Sequence, residues 1–138
     1  MRIYFPNIIL AGWVGLVLLL TAGRAGAMDR WAALSYMESR NNDNAIGRAG
    51  EVSRYQIQPG LWERYTGDRS LRYRRNGRVA LRVAQWIMYE RCAEFERRYH
   101  RSPTNFEYYV LWVAPAQIHQ PSRAVVKRAW RFCHLLES

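Results

Sequence analysis

Residues 37–62 read MESRNNDNAIGRAGEVSRYQIQPGLW, a segment rich in Asn, Gly and Ser between two predicted helices. These residue types favour turns, so the composition predicts a loop here. In the helix before the loop, the spacing of Trp31, Leu34 and Glu38 places all three side chains on one face. Glu38 therefore points the same way as the apolar residues, close to the carboxyl end of that helix. Burial and the helix dipole both disfavour its charge, so we expect the raised pKa that a general acid requires.

The same segment resembles the catalytic block of the soluble lytic transglycosylases of the lysozyme-like superfamily. The signature of that family is Glu-Ser, an Asn-rich loop, an Ala, a Gly, and then Gln-hydrophobic-x-Pro. Without a gap, this chain matches it at Glu38, Ser39, Asn42, Ala45, Gly50, Gln56, Ile57 and Pro59. The resemblance covers this block well and the rest of the chain loosely. It implies a small, mainly α, lysozyme-like domain of about five helices, with an irregular loop or short β segment beside the active-site cleft.

The resemblance also implies a reaction in which Glu38 is the sole acid and base. Glu38 would protonate the glycosidic oxygen between N-acetylmuramic acid (MurNAc) and N-acetylglucosamine (GlcNAc) in peptidoglycan. As a carboxylate, it would then take the proton of the muramic C6 hydroxyl, which closes on C1 to give a 1,6-anhydro product. No cofactor is implied. The alternative for Glu38 is a structural carboxylate that accepts hydrogen bonds from loop N–H groups.

Four further residues are predicted to contribute to substrate binding. Gln56 matches the family's Gln that contacts an N-acetyl group, although its amide can equally brace the loop. Tyr55 either stacks on a sugar face or belongs to the core. Trp112 stands where the family has a Tyr that helps to position the acid, and Tyr109, one turn earlier, is a candidate replacement for the missing hydroxyl. Glu51, which has no counterpart in the commonest signature, is either a second carboxylate in the cleft or a surface residue.

This chain departs from the family pattern at Gly47, at Ser53 and in the Tyr-Asn-Ala-Gly motif, where Trp112-Val113-Ala114-Pro115 keeps only the Ala. Gly47 replaces a Ser, Ser53 replaces a Gly, and Val113 lies where a Tyr-Asn-Ala-Gly motif has its Asn. These departures weaken the prediction of activity more than the prediction of fold. The alternatives are a lysozyme-type muramidase that uses water, with Glu51 as base, and a catalytically diverged cationic protein that binds the cell wall.

Apolar repeats and capping residues predict five helices. The first covers residues 29–39, with Asp29 as N-cap, and Pro59 opens a short second helix. Residues 79–99 form the third, which is predicted to be the central core helix. The fourth runs from the capping box Thr104–Glu107 to Pro115, and Ser122 caps the last. The apolar stripe of the last helix is Val126, Ala129, Trp130, Cys133 and Leu136. Residues 53–58 favour a short extended segment.

Residues 1–27 have the pattern of an export signal. Arg2 supplies the positive charge, residues 8–20 the apolar segment, and Ala25-Gly26-Ala27 the cleavage site. The alternative is an uncleaved anchor, because residues 3–23 are long enough to span a bilayer. We therefore expect a protein of the bacterial periplasm or the extracellular space, with residues 28–138 as one transglycosylase-like domain.

The chain is strongly basic, with a formal net charge of +10 at pH 7. This charge predicts an anionic partner, and the resemblance makes peptidoglycan strands the expected one. No nucleic-acid motif is present, so we expect no nucleic-acid partner. Contact with a membrane is expected only through an uncleaved signal, and the protein is expected to be a monomer. The most basic stretch, residues 66–78, is either a solvated loop or a contact to the wall polymer.

The two cysteines, Cys92 and Cys133, each lie on the apolar stripe of a predicted helix. An exported protein experiences an oxidising compartment, so we predict a disulfide between them, with two buried free thiols as the alternative. No metal site is expected, because there is no Cys-x-x-Cys motif and the three His residues are widely scattered.

Overall fold

The computed structural model describes residues 27–138, in which five α-helices pack around an apolar core. The helices are α1 (Arg30–Ser39), α2 (Pro59–Thr66), α3 (Gly77–Tyr99), α4 (Asn105–Val113) and α5 (Arg123–Glu137), and a short 3-10 helix spans Pro115–Gln117. The predicted mainly α fold with about five helices is therefore confirmed. The predicted export signal lies outside the described residues, apart from Ala27. Among the described helices, none is long and apolar enough to cross a bilayer.

The predicted capping residues start three of the helices. The Asp29 carboxylate accepts hydrogen bonds from two backbone N–H groups in the first turn of α1, at 2.7 and 2.9 Å. Ser122 accepts one from the first turn of α5, at 3.4 Å. At α4, the Thr104 hydroxyl and the Glu107 carboxylate each accept the other residue's backbone N–H, which completes the predicted capping box. Such bonds satisfy donors that the start of a helix leaves unpaired.

The central helix of the core is α4, although the apolar repeat predicted that role for residues 79–99. All five residues from Tyr108 to Trp112 are buried, since α4 packs against α5 on one side and α3 on another. These residues are apolar or aromatic all round the helix, which is the pattern of a fully buried helix. The longer α3 keeps one face exposed, and that face carries Trp86 and Tyr89.

The loop between α1 and α2 contains two isolated β-bridges in place of a strand. In one of them, Val52 and Ile57 exchange two backbone hydrogen bonds of 2.8 and 2.9 Å. The chain reverses in the four residues between them, where Ser53 and Gln56 have positive φ angles of 70° and 51°. The prediction of an extended segment over residues 53–58 is therefore wrong. Val52 and Ile57 have side chains typical of strands, but here they anchor a tight turn in the core.

Trp130 was predicted to lie on the buried face of α5, and that prediction is wrong. Its side chain is 56% exposed, whereas Phe132 is fully buried and stacks on Tyr109 with ring centroids 5.2 Å apart. Because consecutive residues are rotated by 100° around a helix, a face centred on Ala129, Phe132 and Cys133 leaves Trp130 on the flank. The indole packs there against Phe106, at 5.1 Å between ring centroids.

The predicted disulfide between Cys92 and Cys133 is not formed, and both residues are free thiols. The reason lies in the packing of their helices. α5, which carries Cys133, packs mainly on α4 and α1, whereas α3, which carries Cys92, packs on α2 and α4. Cys92 lies beside Trp31 and Tyr108 instead. Apolar stripes that both face the core need not face each other.

Glu107 should make the stability of the fold depend on pH. Its hydrogen bonds from Arg101 and from the capping box hold its pKa at about 2. A carboxyl group with a lowered folded-state pKa adds stability above its unfolded-state pKa, and this stability is lost as the pH falls to the folded-state value. We expect Glu107→Gln to lower the free energy of unfolding by about 1 kcal/mol at pH 7. Urea denaturation should show that this difference disappears between about pH 4.5 and pH 2.

Glu63→Gln is the control for this measurement, because Glu63 forms a more exposed ion pair with Arg69. Glu63→Gln should change the free energy of unfolding by less than about 0.5 kcal/mol, both at pH 7 and at about pH 2. A loss in Glu107→Gln that is independent of pH would contradict the role of the Glu107 charge.

Free thiols at both cysteines have a direct chemical consequence. Burial raises the pKa of Cys92 and of Cys133, so both should react slowly with thiol reagents in the native protein. We expect protein isolated without reductant to show two thiols per chain after unfolding in guanidinium chloride. Cys92→Ser and Cys133→Ser should each show one thiol. A count of zero before reduction would restore the predicted disulfide.

Candidate active site

A cleft of about 430 Å³ opens between the α1–α2 loop and helices α3, α4 and α5. Its wall includes apolar side chains of Leu61, Ile87, Trp112 and Val113. Its charged and amide groups include Glu38, Arg48, Glu51, Gln56, Arg91 and Arg128. The structure thus brings together four of the predicted site residues, namely Glu38, Glu51, Gln56 and Trp112.

Glu38, at the end of α1, is the most constrained of these groups. Its side chain is only 10% exposed. The Tyr109 hydroxyl donates a hydrogen bond to Glu38 Oε1 at 2.9 Å, and Arg128 Nη2 donates to the same oxygen at 3.0 Å. Burial raises the pKa of Glu38 above its ordinary value, although the charge of Arg128 and the bond from Tyr109 oppose that rise. The expected direction of the pKa shift is therefore confirmed, with burial as its main cause.

Tyr109 provides the hydroxyl that Trp112 lacks, as its position on the helix predicted. Its side chain is fully buried, and its ring stacks on Phe132. Burial also raises the pKa of Tyr109, so the phenol stays protonated and donates at neutral pH. Because Tyr109 does not reach the cleft, the prediction that it binds substrate is wrong. It positions Glu38.

Tyr55 also differs from its predicted substrate-binding role. Its side chain is buried, and its ring meets those of Trp31 and Trp112 edge to face at 6.3 and 6.5 Å between centroids. It does not line the cleft. Trp112, by contrast, does line the cleft. Of the two roles considered for Tyr55, the structure therefore supports a place in the core.

The loop that carries the polar side chains is held by its own hydrogen bonds. The Ser39 hydroxyl donates to the Arg54 carbonyl at 2.8 Å and accepts from the Asn42 N–H at 3.0 Å. The guanidinium of Arg54 also binds both carboxylate oxygens of Asp43, at 2.6 and 2.7 Å. A two-pronged bond of this kind fixes orientation as well as distance. The Ser beside Glu38 therefore ties the acid to the loop opposite it.

Gly47 makes room for two side chains of the cleft. A Cβ atom at this position would lie 2.2 Å from Glu51 Oε2 and 2.6 Å from Gln56 Oε1. Both distances are far shorter than van der Waals contact, so a Ser here requires Glu51 and Gln56 to move. Glu51 accepts a hydrogen bond from the Ala49 N–H at 3.0 Å. Its side chain lines the cleft, so of the two predicted positions, cleft or outer surface, the structure shows the cleft. Gln56 both lines the cleft and braces the loop through a 3.0 Å bond to the Ser53 carbonyl.

None of the three arginines of the cleft was predicted from the sequence, and two of them, Arg91 and Arg128, donate hydrogen bonds within the site. Arg91, from α3, donates to the carbonyls of Leu111 and Trp112, both at 2.8 Å. Those carbonyls belong to the last turn of α4, which has no helical donors for them, so Arg91 fixes the wall of the cleft. Arg128, from α5, reaches Glu38 across 90 residues of sequence. No sequence signal distinguishes either residue among the 21 basic ones.

The site offers a carboxyl group with a raised pKa, which is the kind of group that proton transfer uses. Within residues 27–138, no group of three or more His, Cys, Asp and Glu side chains is placed to hold a metal ion. Glu38 receives both of its hydrogen bonds on Oε1, and no donor among those residues reaches Oε2. Within that part of the chain, Oε2 is therefore the oxygen of Glu38 that has no hydrogen-bond partner.

No protein-family model, curated protein or solved structure matches this chain. The geometry of the cleft and the sequence signature are thus what bear on function.

The bond from Tyr109 should be visible in the titration of Glu38. A hydrogen bond to a carboxylate favours its charged form, so its removal in Tyr109→Phe should raise the pKa of Glu38 further. Because Phe fills the same buried space, we expect the free energy of unfolding to fall by only about 1 kcal/mol. NMR titration of the Glu38 side-chain carboxyl carbon gives the pKa directly.

Tyr108→Phe is the matched control, because Tyr108 is the buried neighbour on α4 and its hydroxyl makes no bond to Glu38. It should leave the pKa of Glu38 unchanged. Equal titration curves in all three proteins would show that the Tyr109 bond has no effect on Glu38.

Proposed function

We propose that this protein is an exported lytic transglycosylase that cleaves the MurNAc-β-1,4-GlcNAc bond of peptidoglycan. The observation that carries the proposal is the state of Glu38: a nearly buried carboxyl group in a cleft, held on one oxygen, with a raised pKa. A general acid needs a pKa near the working pH and a fixed position beside the bond that it protonates. The sequence signature around Glu38 supports the choice of substrate.

In the proposed first step, protonated Glu38 gives its proton from Oε2 to the glycosidic oxygen. The bond from that oxygen to C1 of the muramic sugar breaks, and the GlcNAc side leaves as an alcohol. Positive charge develops at C1, where the acetamido group of the substrate stabilises it. Tyr109 and Arg128 donate to Oε1 and stabilise the carboxylate that forms.

In the second step, the Glu38 carboxylate takes the proton of the C6 hydroxyl of the same muramic sugar. The C6 oxygen then bonds to C1 and closes the 1,6-anhydro ring, which returns Glu38 to its acid form. No water is consumed, so one carboxyl group is sufficient for both steps. Gln56 lines the same cleft, and in this proposal its side-chain oxygen accepts a hydrogen bond from the acetamido group.

The proposed site of action is the cell wall outside the cytoplasmic membrane. The predicted export signal supports it, and so does the excess of basic over acidic residues, which favours binding to an anionic polymer. In this proposal, glycan strands are the partner and the protein acts as a monomer without a cofactor.

A lysozyme-type muramidase is the second candidate, and the position of Glu51 is the observation that favours it. Glu51 lies in the cleft with Glu38, and its charge is among the causes that raise the pKa of Glu38. A second carboxylate can activate a water that attacks C1 in place of the C6 hydroxyl. The products distinguish the two reactions, because the anhydro product is lighter by one water.

Replacement of the acid tests the proposal. Glu38→Gln keeps the shape of the side chain but has no proton to transfer. We expect it to release soluble fragments from purified sacculi ~10²-fold more slowly than the wild type, or slower still. Mass spectrometry of the fragments from the wild type should show 1,6-anhydro ends.

The control is Glu137→Gln, which removes an exposed carboxylate at the far end of α5 and should retain the wild-type rate. Fragments that end in reducing MurNAc, the product of hydrolysis, would favour the muramidase. Unchanged lysis by Glu38→Gln would exclude Glu38 as the acid. Wild-type protein that sediments with sacculi and releases nothing would indicate the cationic wall-binding alternative.

A further inference from the structure

Arg128 occupies an unusual place for a surface arginine. It lies in the cleft, and its guanidinium carbon is 5.6 Å from the centre of the Tyr109 ring. One of its nitrogens binds Glu38 at 3.0 Å, yet its side chain is still 46% exposed. The Glu38 contact is through a single oxygen, whereas a guanidinium group has five N–H donors in a fork that fits both oxygens of a carboxylate. Most of its donors therefore remain open to a second ligand.

We infer that Arg128 forms a carboxylate-binding subsite next to Glu38, which selects glycans whose muramyl sugar carries a carboxylate. The inference rests on the proposed function, because it assigns the substrate group that this site would recognise. The carboxylate belongs either to the free lactyl group on C3 of the muramic sugar or to the stem peptide attached there. Chitin oligomers have neither group, so the subsite distinguishes the two kinds of glycan.

The other charges around Arg128 favour an anionic ligand. Of the three arginines that line the cleft, Arg91 is committed to two carbonyl groups of α4. Arg48, from the loop, is exposed and forms no ion pair with any residue in the range 27–138. Glu38 and Glu51 are the acidic residues in the lining, so the basic groups outnumber them. An incoming carboxylate therefore enters a cleft of net positive charge.

Binding of that carboxylate would also change the proposed acid. Three groups from three parts of the fold act on Glu38: Arg128 from α5, Tyr109 from α4 and Glu51 from the loop. Of these, Arg128 and Tyr109 favour its charged form, and Glu51 disfavours it. A ligand carboxylate that shares the guanidinium of Arg128 weakens its support for that charge while the bond to Oε1 remains, so Glu38 binds a proton more readily. The correct substrate thus promotes the form of Glu38 that the first step requires.

The test uses disaccharides that lack the scissile bond and are therefore not consumed. The first is GlcNAc-MurNAc with a free lactyl carboxylate, the second is the same sugar with a stem dipeptide, and the third is chitobiose, which has no lactyl group. NMR titration measures their affinities. We expect wild-type protein to bind at least one muramyl ligand roughly tenfold more tightly than chitobiose, as a charge-assisted hydrogen bond can provide. Arg128→Gln should remove that preference.

Two variants serve as comparisons. Arg131→Gln removes the same charge from an exposed position one turn further along α5, outside the cleft, and should keep the preference. Arg128→Lys keeps the charge but not the fork, so it should keep only part of the preference. Thermal unfolding of each variant confirms that the fold is retained.

The competition between the ligand and Glu38 provides a sharper test. In Glu38→Gln, Arg128 loses its carboxylate partner and is free for the ligand. The muramyl ligand should therefore bind Glu38→Gln several-fold more tightly than the wild type, and addition of Arg128→Gln should abolish that gain. The affinity for chitobiose should be nearly equal in all these proteins.

The outcomes separate this inference from the proposed function. Preference for the free lactyl ligand or for the dipeptide ligand identifies which carboxylate is bound, and both support the subsite. Equal affinity for all three disaccharides in wild-type protein, or a preference that Arg128→Gln retains, would overturn it. Failure of the lysis experiment bears on the reaction alone, because these affinities are measured without turnover.

Discussion

The hydrogen bond from the Tyr109 hydroxyl to Glu38 connects the core of this protein to its cleft. Tyr109 lies on the most buried helix, and its ring is stacked on Phe132, so its hydroxyl has little freedom. A nearly buried carboxyl group is costly unless it is hydrogen-bonded or paired. The bond therefore offsets part of the cost of burying Glu38 and also fixes its orientation. The packing of α1, α4 and α5 determines where the acid stands.

Opposing effects set the pKa of Glu38. Burial favours the neutral acid, whereas Arg128 and Tyr109 favour the carboxylate. A residue that first gives and then takes a proton, as proposed for Glu38, needs groups that stabilise each of its two forms. Both donors bind the same oxygen, so they support the charge without covering the other oxygen. The proposed reaction and the proposed carboxylate subsite both depend on this arrangement.

The departures of this chain from the family signature form a consistent set in the structure. Gly47 lacks the side chain that would collide with Glu51 and Gln56, so the Gly and the additional carboxylate belong together. Trp112 lacks a hydroxyl, and Tyr109, one turn earlier, provides one. The loop itself is held by the two-pronged bond between Arg54 and Asp43. The cleft around Glu38 is lined by polar side chains with these residues in place.

The sequence by itself determined the helices, several of their caps and the position of Glu38, because these depend on local spacing and on capping residues near in the chain. The same local signals led to errors at several places where two distant segments pack together. Cys92 and Cys133 both face the core, but only the packing of their helices decides that they do not meet. From the sequence, Tyr55 was a candidate to stack on a sugar face, but in the fold it is buried against Trp31 and Trp112. Arg128 resembles every other arginine until α5 packs on α1 and α4 and brings its charge to the acid.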